Sequence, residues 1–413
     1  MKLKTLDQVG AQGLALILIL YSNVCFYKLD TQIIYIGMNF FAGILVVLTQ
    51  NFKSIKNVKP FIWLTGIFAL FITYGIFFLK AGAFNTDRFI ISYLQCILYY
   101  IILKNTVLKR DFEKRIAYIF GISAFLCILT MYIQEGSFLG RELRSVGSLM
   151  AGNVNTVGMS LGIMSLFIVY YYGKTKKISV LIFAIIVMSI MMLTGSKKTI
   201  VYIIANVFIL YSLSKNKANG IILMILLLSI LTYLVFGVDY FYNLLGSRII
   251  DMLGQMGFHM KNAHYSNSTE VRMYMIKEGV DMWLQKPIFG GGTHYFQANT
   301  TTIYEYSHCN VTELLCSFGI VGFILYYIPH LSFFMSYKRI FSEDKSLAKF
   351  GLIITIVTLI IDWMAVTYSG FSTMYIPIIF CLAIKEKRIK TDDLKTERRG
   401  FHYLKLATKM DAS

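Results

Sequence analysis

The sequence predicts an all-α polytopic transmembrane helix bundle of about 12 spans, with a large extracytoplasmic loop that contains helical structure. Three observations carry this reading. Of the 413 residues, 56% are hydrophobic and only 15% are charged, and mean hydropathy is +0.62. Soluble domains hold about 45–50% apolar and about 25% charged residues. The apolar residues fall into long runs along the whole chain, each near the roughly 20 residues that a helix needs to cross a bilayer. Between Val238 and His308 the runs stop for about 70 residues, far longer than the usual connection between packed helices.

The first nine runs lie within residues 1–238, at 11–27, 31–49, 61–79, 88–103, 116–133, 155–172, 178–194, 199–213 and 220–238. The first is read as a span: no small-residue cleavage site stands out, and a second span follows at once. Residues 239–308 form the large loop. Runs at 309–335, 347–368 and 372–384 complete the bundle within 309–384, and 385–413 is a basic tail. When the spans alternate from a cytoplasmic N-terminus, most of the 40 Lys and Arg fall on the cytoplasmic side, as with Lys109, Arg110, Lys114 and Arg115, or Lys174, Lys176 and Lys177. That bias places both termini in the cytoplasm.

Inside the large loop a helix is expected to start at Asn267, with Glu270 three residues on as in a capping box. Met273, Ile276, Val280 and Trp283 recur at helical spacing, and Lys286-Pro287 followed by glycines ends the pattern. Such a helix lies on the outer membrane face or packs over the bundle. A smaller outer loop, 134–155, carries Arg141 and Arg144.

Several classes are disfavoured. The net charge of +18 sits in short loops between apolar runs. It follows the positive-inside pattern and builds no basic face interleaved with exposed aromatics, so no nucleic acid is expected. The six cysteines, Cys25, Cys96, Cys127, Cys309, Cys316 and Cys381, lie in or beside apolar runs without a Cys-x-x-Cys spacing. There is no phosphate-binding Gly-x-x-x-x-Gly-Lys-Ser/Thr and no His-Glu-x-x-His, and neither metal nor cofactor is expected. Gly158-Met159-Ser160-Leu161-Gly162 matches a hydrolase nucleophile pattern, but it lies inside the sixth span without the strand-turn-helix setting.

The candidate chemistry gathers at the outer interface. His308 opens the tenth span, and its ordinary pKa of about 6.5 lets it exchange a proton near neutrality. Glu313 lies about one turn further in. Asp362 sits near the outer end of the eleventh span, and Lys197 and Lys198 mark the junction of the seventh and eighth. Ionisable groups within spans suggest function, against the plainer alternative of snorkelling to the headgroups. Few such groups stand at mid-bilayer, which disfavours a proton-driven transporter. Arg144 and Arg272 lie outside, and arginine's planar fork of donors suits phosphate oxygens. The alternative there is contact with lipid headgroups. Gly290-Gly291-Gly292 would let backbone N–H groups approach an anion, or serve only as a turn.

From Glu270 to Gly322 the chain reads Arg272, Trp283, Lys286-Pro287-Ile288-Phe289-Gly290-Gly291-Gly292, His308-Cys309-Asn310, Glu313-Leu314-Leu315 and Gly319-Ile320-Val321-Gly322. This resembles the signature of the O-antigen ligase and polysaccharide polymerase superfamily. That superfamily has many spans, a large outer loop before a late span, and an Arg upstream of Trp and Pro-x-x-Gly-x-Gly. Looser matches are Arg144-Ser145-Val146-Gly147 with Asn153-Val154-Asn155, and Thr194-Gly195-Ser196-Lys197. Cys309 stands where the family often has Asn directly after His, and Lys197 stands where arginine is usual.

The resemblance implies a metal-independent glycosyltransferase in the cytoplasmic (inner) membrane. Its partners are the lipid bilayer, an undecaprenyl-pyrophosphate-linked oligosaccharide as donor, and a chain-length regulator protein. It assigns Arg272, Arg144 and Lys197 to the pyrophosphate and His308 to the base or acceptor-orienting role. Glu313 and Asp362 are added from position, as groups that orient His308 or sugar hydroxyls. The leading expectation is a polymerase of surface-glycan repeat units. The alternatives are a ligase that moves glycan to another acceptor and a lipid-linked-glycan flippase. The long outer loop and the acids at the outer interface disfavour the flippase.

Overall fold

The computed structural model describes residues 8–26, 31–50, 58–78, 86–138, 146–151, 153–250, 267–301, 306–368 and 372–385. Among them the chain is helical and contains no strand. The helices are α1 Gln8–Cys25, α2 Gln32–Thr49, α3 Lys59–Phe78, α4 Thr86–Val107, α5 Phe112–Glu135, the short α6 Ser148–Ala151, α7 Val154–Thr175, α8 Ile178–Leu193, α9 Lys197–Ser212 and α10 Lys217–Gly237. After the loop come two spans, Asn310–Glu343 and Lys345–Met364, and an apolar helical segment, Ser372–Lys385. Each of the twelve expected runs is thus helical. Among the described residues, eight helices are long and apolar enough to cross a membrane, and α1, α8, α9 and the last segment are shorter or less apolar.

The sequence places α7 at the centre. It is apolar or small all round, as a helix surrounded by others must be, and 94% of its spanning window is buried. Two of its glycines explain how it packs. A Cβ on Gly162 would stand 2.4 Å from the Tyr202 ring of α9, and one on Gly158 would stand 2.8 Å from Thr199. The Gly-x-Ser-x-Gly sequence is therefore a small-residue seam that lets two backbones approach. By contrast α2 and α10 bury only 17% and 11% of their windows and form the periphery.

Contacts between loops separate the two ends of the bundle. At one end Lys174 faces Glu113 at 3.8 Å, donates to Ser346 at 2.6 Å, and Lys349 donates to the Ser212 carbonyl at 3.1 Å. These are the basic loops of the sequence. At the other end Ser196 donates to Asn155 at 2.8 Å, which joins the α8–α9 corner to the start of α7. Gly147 donates its N–H to Glu135 at 2.6 Å, fastening the start of α6 to the end of α5.

Two spans differ from the simple expectation. The tenth is broken at Gly319, where φ is +61° and ψ is −164°, and it continues beyond the expected 335 to Glu343. The eleventh ends at Met364, and Ala365 is already extended at φ −156°. Asp362 is therefore two residues from the helix end, closer than the run 347–368 suggests. The following segment, Ser372–Tyr375, is a buried 3-10 turn. It is held by Asn23, whose amide donates to Ser372 at 2.9 Å, and by Gln95, which accepts from Ser372. The two side-chain amides thus satisfy the buried Ser372 hydroxyl.

Candidate active site at the start of the tenth span

The loop helix runs Asn267–Gln285, as the capping and periodicity predict. It packs over the bundle, but on a face shifted from the expected one. Met275 and Met282 are buried with Phe296 and Cys316, and Gly279 presses on the tenth span, where a Cβ would stand 2.5 Å from Thr312. Met273, expected on the packed face, is 62% exposed. The tertiary contact decided the register, because the close approach needs a glycine facing Thr312. Arg272 lies on the same stripe as Met275, Gly279 and Met282, one turn beyond the apolar contact. His308 stands two residues before the tenth span begins at Asn310, and the Arg272 charge acts on it. Packing at Gly279 thus carries Arg272 toward His308.

The glycine run and the helix break are two halves of one fitting. Gly291 N–H donates to the Cys316 carbonyl at 2.9 Å, and Gly292 N–H donates to Ser317 at 2.8 Å. In return Ile320 N–H donates to Pro287 at 2.9 Å, and Val321 N–H donates to Ile288 at 3.2 Å. The break at Gly319 frees these groups of the tenth span, and Pro287–Gly292 satisfies them. Gly290 N–H is also occupied, by the Lys286 carbonyl at 2.9 Å. The glycine N–H groups are consequently committed to backbone carbonyls and are not an anion cradle. Further anchors hold the loop: Thr293 donates to the Phe71 carbonyl at 2.6 Å, and Glu278 accepts from Thr300 at 2.7 Å and from the Thr301 N–H at 2.7 Å.

His308 adopts φ +59°, a left-handed conformation that non-glycine residues seldom take. Its neighbours hold it there. The buried Glu313 carboxylate accepts from Ser307 N–H at 2.9 Å, Ser307 Oγ donates to the Cys309 carbonyl at 3.0 Å, and Glu313 N–H donates to the same carbonyl at 3.0 Å. The imidazole is half-buried, with the Tyr306 ring edge-on at 4.4 Å. Burial first, then the positive charges of Arg272 and Lys198, push its pKa down to about 4. The imidazole is therefore neutral at physiological pH. His294, also left-handed at φ +59°, is held near 4 by burial alone; its ring packs against Phe89 at 6.0 Å, and it caps a short helix, Tyr295–Asn299.

The expected site residues separate into three groups. His308 and Arg272 come together. Glu313 lies beneath the His308 turn and is 1% exposed. Asp362 is fully buried and accepts from Tyr327 at 2.8 Å and Thr367 at 2.5 Å. Asn310 links it to the His308 turn: its side chain accepts from the N–H groups of Thr367 at 2.9 Å and Tyr368 at 3.0 Å, and it stands beside Asp362. Lys197, the first residue of α9, is half-buried, and its neighbour Lys198 is the lysine that acts on His308. The sequence reading selects Lys197; successive residues of a helix point about 100° apart, so which of the two lysines bears on His308 depends on how α9 packs. Ser307 and Thr367 were also missed: the Ser307 N–H reaches Glu313 only through the non-helical turn at His308, and the Thr367 N–H meets Asn310 from a distant segment. Arg144 lies outside the described residues.

Residues 181–327 match the family model described as O-antigen ligase. The match runs from α8 through the loop and past the break at Gly319, so it contains Lys197, Lys198, Arg272, His308 and Glu313. It bears out the superfamily resemblance over that stretch, in a chain whose described residues include eight helices long and apolar enough to cross a membrane. None of the curated proteins matches the chain.

Proposed function

We propose that this chain polymerises oligosaccharide repeat units carried on undecaprenyl pyrophosphate, at the outer leaflet of the cytoplasmic membrane. The observation that carries the reading is a neutral imidazole, His308, held in a fixed turn beside two cations, Arg272 and Lys198. A hydroxyl of the acceptor sugar attacks the anomeric carbon of the donor. The new C–O bond forms as the bond to pyrophosphate breaks, and the hydroxyl proton passes to His308. Arg272 and Lys198 stabilise the charge developing on the departing pyrophosphate, with Lys197 and Arg144 at the positions that the family resemblance assigns to the same anion.

The charges also explain how the base is tuned. In the free protein the two cations disfavour imidazolium. A bound pyrophosphate offsets them, so His308 becomes a stronger base when the donor is in place. Glu313 and Asp362 are buried and already hydrogen-bonded. Their part in this reading is positioning: Glu313 holds the His308 turn, and Asp362 holds the 365–368 segment against Asn310.

The test is reconstitution of the purified chain with lipid-linked repeat units as both donor and acceptor. A ladder of glycan lengths is expected, and His308→Ala lowers its formation at least about a hundredfold while the protein stays folded. Long glycan at normal yield from His308→Ala and Arg272→Ala would reject the site. The family description favours a second reading, a ligase. In that case no product forms until a different acceptor is supplied.

A further inference from the structure

The basic end of the bundle holds a feature that this chemistry does not use. A cleft of about 370 Å³ opens between α5, α7 and α8. Its walls are apolar, with Ile122 and Phe125 from α5 and Phe183 from α8. Gly121 widens it: a Cβ there would lie 3.6 Å from the Phe183 ring. The lining on α5 extends from Ala117 to Phe125, roughly 12 Å along the helix axis at the usual rise.

The mouth has a different character. Lys177 lines it just before α8 begins. Lys114 approaches from α5, its ammonium 5.7 Å from the centroid of Tyr118, another lining ring. The nearby acids are engaged elsewhere: Asp111 pairs with Arg115 at 2.9 Å, and Glu113 faces Lys174 at 3.8 Å. Among the described residues neither Lys114 nor Lys177 forms an ion pair with a carboxylate. The apolar cleft thus ends in two lysines without a carboxylate ion pair, Asp111 acting on Lys114 only at longer range.

We propose that this cleft binds an anionic glycerophospholipid. One acyl chain lies between α5 and α8 against Ile122, Phe125 and Phe183, and the headgroup phosphate sits between Lys114 and Lys177. The order of apolar wall and cationic mouth matches the order of tail and phosphate in the lipid. A zwitterionic headgroup brings its own cation to the two lysines and gains less.

Native mass spectrometry of the full chain in detergent tests this, with dioleoylphosphatidylglycerol and dioleoylphosphatidylcholine offered in equal amounts. The anionic lipid is expected to be retained at least about fivefold more strongly, as about one lysine's attraction implies. The double variant Lys114→Glu/Lys177→Glu abolishes the preference, and Gly121→Leu, which fills the cleft, weakens binding of both lipids. Millimolar inorganic phosphate leaves the lipid in place. Equal retention by the unaltered chain, a preference that survives the lysine changes, unchanged binding in Gly121→Leu, or displacement by phosphate would each overturn the proposal. None of these residues belongs to the proposed active site, so the result is independent of that reading.

Discussion

Gly319 and Ile288 meet backbone to backbone: a Cβ on Gly319 would stand 2.3 Å from the Ile288 carbonyl oxygen. The same glycine holds φ at +61°. It therefore breaks the tenth span and admits the loop that repairs the break. Gly319→Ala meets both a positive-φ, extended-ψ backbone that glycine alone adopts readily, which costs about 1–3 kcal/mol, and a contact that forces the loop outward, which costs about 1–3 kcal/mol. Thermal unfolding in detergent is expected to show a clear fall in Tm, with loss of the proposed chain lengthening. Gly66→Ala, with nothing within 4 Å of the added carbon, leaves both unchanged.

The pH dependence of His308 has a definite sign. Its folded-state pKa of about 4 lies below the ordinary 6.5, so between those values the unfolded chain binds more protons. The stability contributed by neutral His308 is complete above about 6.5 and is lost as pH falls toward 4. Activity of the free enzyme is expected to persist into mildly acid solution. Lys198→Met removes one cation and raises the His308 pKa. Its normalised kcat/KM profile should then lose activity at a higher pH than the unaltered chain. An unmoved acid limb would separate Lys198 from His308.

Glu313 acts on the His308 turn through the Ser307 N–H. Glu313→Ala leaves that buried donor without its acceptor, at about 1–3 kcal/mol, and lets the turn relax. Glu313→Gln keeps an acceptor oxygen in place. Reconstituted Glu313→Ala should lose most of its kcat with KM little changed, and Glu313→Gln should recover most of it. A glutamine variant as inactive as alanine would instead give the carboxylate a direct chemical role.

Gly162 tests the α7–α9 seam apart from the chemistry. A Cβ there would lie 2.4 Å from the Tyr202 ring. Gly162→Leu should lower Tm by an amount matching about 1–3 kcal/mol of overpacking. Gly162→Leu combined with Tyr202→Ala should recover part of the loss. Full stability of the single variant would mean that the two helices separate freely.

The helical runs, the loop helix at Asn267–Gln285 and the family signature were legible along the chain. Apolar runs, proline, glycine and capping residues act on their own neighbourhood, so local sequence fixes them. His308 and Arg272 could be picked out for the same reason, by residue type and position. Tertiary structure alone decided that Pro287–Gly292 repairs a break at Gly319, that Lys198 acts on His308, and that Glu313 and Asp362 are buried supports. Each of those depends on groups that meet only once the chain has folded, whether backbone at Gly319 or side chains on packed helices. A Gly279–Thr312 contact sets the reach of Arg272, and the carbonyls freed at Gly319 set the use of the glycine run. Backbone groups buried away from water must find partners, and those partners came from segments that no sequence spacing connects.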